Sequence, residues 1–163
     1  MGDRVSLELL SDVQQFVFRE ARLQDDHQYQ AWESLWTDDG VYWIPANGDS
    51  SDPEREMSIV YDNRSRISLR VKQLLTGKRH TQAPPSRLRR IVSNVEVLGT
   101  TDSGDIKVGA NTMIFESNLR DDTIWATRNE YALRPQEGEL RMAYKKVLLV
   151  NNEKALYTLS FLV

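Results

Sequence analysis

Apolar residues recur at spacings of three and four from residue 6 to residue 37, the period of a helix with one buried face. Leu9, Leu10, Val13, Phe16, Val17 and Ala21 make the first stripe, with Ser6 placed to cap its start. QDDHQ at 24–28 reads as a break or tight link, and Tyr29, Trp32, Leu35 and Trp36 make a second stripe. TDDG at 37–40 is expected to stop the helix, with Gly40 in the left-handed position beyond its end. A short strand is expected at 41–45, a polar loop at 46–56 and another strand at 57–62. Asn63 or Ser65 caps a third helix that buries Ile67, Val71, Leu74 and Leu75 and stops at Gly77.

Beyond Pro85 the period becomes two. Ile91, Ser93, Val95 and Val97 share one face of a strand, with Val92, Asn94, Glu96 and Leu98 on the other. Alternation continues at 106–114, 123–134 and 140–150, and turn sequences GTTDSGD, NLRDD and QEGE separate these strands. The closing ALYTLSFLV is apolar to its last residue and is expected to be docked. Helices first and long antiparallel strands later predict one α+β domain, 1–163, with helices on one face of a curved, mostly antiparallel mixed sheet. Such a sheet curls into a cone whose open end often forms a pocket. Asn111, Arg128, Asn129 and Tyr131 are candidates to line it.

Composition narrows the chemistry. The chain has 163 residues, 40% hydrophobic and 28% charged, enough to bury a core. Its net charge, 21 − 24 = −3, argues against nucleic acid as the main partner. No apolar run approaches the ~20 residues that span a bilayer, and the acidic opening MGDRVSLELL is no signal peptide, so a cytoplasmic location is expected. There are no cysteines and only two histidines, His27 and His80, so thiol catalysis, thiolate metal sites and iron–sulfur ligation lack donors here.

The remaining candidates are few. His27 and His80, with Asp25 or Asp26, would be the only route to a mononuclear iron site, and both lie in loop-like stretches. Asp38 or Asp39 could serve as a pocket base in a free-standing dehydratase, isomerase or hydrolase, although a helix end needs Asp and Gly anyway. A cone without such a base could instead be a small-ligand binding module. Lys78, Arg79, Arg87, Arg89 and Arg90 cluster in sequence, but Arg87 and Arg89 face opposite to Arg90 on a strand and no aromatic platform interleaves them. Pro84 and Pro85 stiffen the entry to this strand, which lowers the ordering cost of docking. A protein interface through Pro84, Pro85, Ser86, Arg87 and Arg90 is the reading these residues favour.

Three stretches carry a family resemblance: EARLQDDHQYQAWESLWTDDGVYWIP at 20–45, RVKQLLTG followed by PPSRLRRIVSNVEV within 70–97, and RMAYKKVLLVNNEKALYTLSFLV at 141–163. They resemble the small (β) subunits of aromatic-ring-hydroxylating dioxygenases, the Rieske non-haem iron oxygenases. GKRHTQA at 77–83 departs from the acidic, Trp-containing segment of that family. The resemblance implies a nuclear transport factor 2-like (cystatin-like) cone and a non-catalytic, assembly-promoting role in bacterial aromatic catabolism. It implies three large and three small subunits, with contacts among the small ones. The Rieske [2Fe-2S] cluster and mononuclear Fe(II) would sit on the large subunit, with electrons from NAD(P)H through a reductase, sometimes with a ferredoxin. It implies no catalytic, cofactor or metal residue on this chain, and neither nucleic acid nor membrane as a partner.

Overall fold

A computed structural model describes residues 4–46, 48–49, 52–76, 84–151 and 161–163. Among these residues three helices, α1 (Leu7–Asp25), α2 (Tyr29–Glu33) and α3 (Arg64–Leu75), accompany six strands. The strands are β1 (Trp36–Pro45), β2 (Ser58–Asp62), β3 (Arg87–Thr100), β4 (Ile106–Ser117), β5 (Asp122–Gln136) and β6 (Glu139–Leu149). They form one sheet in the order β2-β1-β6-β5-β4-β3, antiparallel except where β1 runs parallel to β6. This is the expected α+β arrangement.

Local chemistry sets the ends. Ser6 caps α1 by accepting the Leu9 amide at 3.1 Å, and Asn63, not Ser65, caps α3 by accepting the Arg66 amide at 3.0 Å. The break after α1 is a Schellman-type stop: Gln28 N–H reaches Leu23 O, His27 N–H reaches Gln24 O, and His27 takes φ 53°. Glu137 and Gly138, both at positive φ, make the two-residue β5–β6 hairpin.

Three expectations give way. TDDG does not end a helix but lies inside β1. Between the pairs Trp36↔Met142 and Val41↔Tyr144, β1 spends three more residues than β6, so 37–40 bulge from the ladder. Gly40 is needed for close approach and not for a left-handed φ: a Cβ there would stand 2.6 Å from Trp36 Cε3. Leu75, at the last turn of α3, is 50% exposed while Ile67, Val71 and Leu74 are buried. In β3, Ile91 is exposed and Val92, Val95 and Val97 pack against the core, because an extra residue enters between Ser93 and Glu96 and reverses the alternation. The expected stop at Gly77 and most of the apolar tail lie outside the described residues, but Phe161, Leu162 and Val163 are buried in the core.

Candidate functional site

The apolar stripe of α1 carries an acid. Glu20 shares the buried face with Val13, Phe16, Val17 and Ala21, and its helix packs against β3 and β6 of the sheet. On β6 the inward alternation Lys145, Val147, Leu149 carries a base. Lys145 Nζ donates to Glu20 Oε2 at 2.6 Å, and the two side chains are 0% and 2% exposed. Trp32 Nε1 donates to the same oxygen at 2.9 Å, and the Tyr131 hydroxyl donates to Oε1 at 3.0 Å. Asn129 Nδ2 donates to Tyr131 Oη and Thr112 Oγ1, and the Thr127 hydroxyl to Asn129 Oδ1. Each polar group thus meets a partner, as a low-dielectric interior demands.

Electrostatics agree with that closure. Burial lowers the Lys145 pKa, with Glu20 opposing the shift, and burial followed by the Glu20 charge holds the Tyr131 phenol well above its usual range. Tyr42, whose hydroxyl bonds both the N–H and the carbonyl of Val163, is pushed up by burial as well. Around Glu20 the interior is therefore occupied by side chains. Of the four residues expected to line a pocket, Asn129 and Tyr131 point inward into this network, while Asn111 and Arg128 meet on the opposite face at 3.3 Å. Among the described residues, surface grooves beside Asp38, beside Arg87 and beside Phe16 are lined by other side chains, and these three do not border Glu20, Lys145 or Tyr131.

Asp39 lines an outer groove beside Asp38, with its carboxylate tied to an arginine. Arg134 bridges it to Asp105, with Nη1 2.8 Å from Asp39 Oδ1 and Nε 2.8 Å from Asp105 Oδ1. The bonds from Arg134 and then Thr37 hold the Asp39 carboxyl below its ordinary range, away from the near-neutral pKa that suits a general base. Asp38 is exposed and borders an outer groove of about 880 Å³ with Asn63, Ser65 and Lys72.

His27 is engaged within the chain on both ring nitrogens. His27 Nε2 lies 2.8 Å from the Ser86 carbonyl, which can only accept, so this nitrogen carries the hydrogen, and Nδ1 lies 3.0 Å from Tyr29 Oη. His80 lies outside the described residues, and among these no group of three or more His, Asp or Glu side chains could hold a metal ion.

The Pro84–Arg90 corner alternates between anchored and free positions. Ser86 is buried and its hydroxyl donates to Glu116 Oε2 at 2.7 Å, while Trp125 Nε1 donates to Glu116 Oε1 at 3.1 Å. Leu88 is buried. The Arg90 side chain is 2% exposed: Nη1 meets Asp25 Oδ1 at 2.5 Å, Nη2 bonds the Leu162 carbonyl, and the guanidinium lies 5.8 Å from the Phe161 ring centroid. Ser86 and Arg90 thus spend their side chains within the chain. Pro84, Pro85, Arg87 and Arg89 are the exposed ones. Sequence reasoning missed the Glu20–Lys145 pair. The available signal was an acid and a base each sitting on an otherwise apolar face.

Comparison with known proteins gives this architecture its relatives. The family model described as the ring hydroxylating beta subunit matches residues 19–153. The chain is 31% identical over 156 residues to the anthranilate 1,2-dioxygenase small subunit of Acinetobacter baylyi, covering 91% of this chain and 94% of that one. It is 29% identical over 147 residues to the 2-halobenzoate 1,2-dioxygenase small subunit of Burkholderia cepacia, covering 86% and 88%. The crystal structure of the beta subunit of the benzoate 1,2-dioxygenase from Burkholderia mallei superposes with a TM-score of 0.73 at 26% identity, over 92% of this chain and 94% of that one. The fold is accordingly the nuclear transport factor 2-like cone expected from the sequence. With a family match that takes in most of its length, the chain belongs to the ring hydroxylating beta subunits, the small subunits of aromatic-ring-hydroxylating dioxygenases.

Proposed function

We propose that this chain is a non-catalytic, assembly-promoting subunit of a bacterial dioxygenase that adds O₂ to an arene or aromatic acid. The observation that carries the reading is the interior around Glu20: where a cone enzyme needs an open cavity with a free acid or base, this part of the core holds the satisfied Glu20–Lys145–Tyr131–Trp32 network. The donor set supports it from the other side. With no cysteine in the chain and both nitrogens of His27 engaged, its residues fit neither a Rieske cluster nor a mononuclear iron. Those centres belong to a large subunit, with electrons from NAD(P)H through a reductase or ferredoxin, in a cytoplasmic complex of three large and three small chains.

The corner is the docking element. Ser86, Leu88 and Arg90 fix it to α1, β4 and the chain end, so Pro84, Pro85, Arg87 and Arg89 are presented at a set angle at little ordering cost. Co-expression with the adjacent large-subunit gene tests the reading. The expected result is a stable complex that hydroxylates an aromatic acid when reductase and NAD(P)H are supplied, and no turnover from this chain alone. Oxygen-dependent hydroxylation, or dehydratase or hydrolase turnover, by the isolated chain would overturn it.

A further inference from the structure

The end of α1 and the link that follows it grip the corner at both ends. Asp25 Oδ2 accepts the Arg90 amide at 2.9 Å, and Oδ1 accepts from the Arg90 guanidinium at 2.5 Å. His27 Nε2 donates to the Ser86 carbonyl at 2.8 Å. Tyr29 steadies the imidazole from its other side: the hydroxyl lies 3.0 Å from Nδ1, and the two rings stand 5.7 Å apart at 51°. Two positions on the link thus hold Ser86 and Arg90 of the corner. Arg87 and Arg89 are exposed between the grips and share one face of the strand.

The backbone shows that His27 is present for its ring. It occupies the position just beyond the α1 cap at φ 53°, where glycine or asparagine is the usual occupant because a Cβ is strained there. The helix stop itself is made by main-chain bonds, Gln28 N–H to Leu23 O and His27 N–H to Gln24 O. Glycine would supply the same amide with less strain, so the imidazole adds nothing to the end of the helix. What it adds is a bond to the corner, 59 residues away in the chain.

We infer that His27 is a positioning residue for docking: by fixing the Ser86 carbonyl, with Tyr29 holding its ring and Asp25 holding Arg90, it sets the angle at which Pro84, Pro85, Arg87 and Arg89 meet the large subunit. The inference rests on the proposed docking role of the corner and names the residues that pre-organise it. A segment ordered before it docks spares the complex the cost of ordering it. Loosening the His27 grip therefore weakens association without removing any of the exposed side chains assigned to the partner.

His27→Gly keeps the left-handed turn and removes only the ring. In the full-length chain, amide exchange across 86–90 should quicken by roughly fivefold, the loss of one hydrogen bond, while β5 and β6 exchange as before. Affinity for the large subunit should fall by a similar factor, roughly fivefold. His27→Gln, whose amide N–H can replace Nε2 as donor, should restore most of both, a rescue that a general loss of structure would not show. Tyr29→Phe leaves the turn untouched and should give a smaller change in the same direction, so the test stands even if the glycine chain folds poorly. Unchanged exchange across 86–90, faster exchange with unchanged affinity, or equal losses in the Gly and Gln variants would each overturn the inference. An unaltered chain that binds no large subunit would sink the proposed function, whereas a firm complex indifferent to H27G would sink this inference alone.

Discussion

Lys145 keeps its place in the core because Glu20 and the ring of Tyr131, 5.6 Å away, replace the water it gave up. Removing one member of a buried pair leaves the other charge stranded, a loss of about 3–5 kcal/mol, whereas replacing both with apolar groups of similar volume is often neutral. Lys145→Met alone should therefore destabilise the chain by roughly that amount in urea unfolding. Lys145→Met with Glu20→Leu should recover most of it, less what Trp32 and Tyr131 lose as donors. Strict additivity of the two single changes would show that the pair is uncoupled. At this scale the sequence was legible only in part. Alternation placed a strand over 140–150 without saying which face is inside, and nothing local says that the partner of Lys145 lies 125 residues earlier on α1. Arg90 shows the same limit: its charge suggested a surface contact, and its bonds to Asp25 and Leu162 depend on where α1 and the chain end come to rest.

Among the elements, those governed by neighbours in sequence were readable: α1 with its Ser6 cap, α3 with its Asn63 cap, and the β5–β6 hairpin. Those shaped by a distant strand were not. β1 hides behind a helix-stop signature because its bulge at 37–40 exists only against β6. In β3 a strict period of two misplaced Ile91 and Ser93, since Asn94 takes φ 54° and shifts the register between Ser93 and Glu96. That residue can be tested alone. Left-handed backbone costs a residue with a Cβ about 1–2 kcal/mol, Asn least and β-branched residues most. Asn94→Val should lower stability by about that amount, and Asn94→Gly should leave it unchanged or slightly raised. Equal stability for the Val and Gly variants in thermal or urea unfolding would show that the bulge is set by β4 and not by the residue.

For the molecule as a whole, filling the cone fixes how it meets alkaline solution. Tyr42 and Tyr131 are buried phenols whose pKa values lie above the usual range, and burial, with Glu130 and Tyr61 contributing, pushes partly buried Tyr144 up to about 12. A raised folded-state pKa contributes stability that is complete below the unfolded value of 10.0 and is lost as pH climbs towards the folded one. In that window the unfolded chain binds fewer protons, so the unfolding free energy falls with pH. Two buried phenols give a slope of about 3 kcal/mol per pH unit, and Tyr144 adds a smaller share because its ring is partly screened by solvent. Lys145 acts in the opposite direction but only below its unfolded value of 10.5, so the range from pH 10.5 to 12 isolates the phenols. Urea unfolding across that range should lose stability steeply, and Tyr144→Phe should flatten the slope modestly while phenolate absorbance of the folded protein loses a transition near pH 12. A flat stability curve over this interval would mean that water reaches these rings in the folded state, which a cone packed shut around Glu20 and Lys145 does not allow.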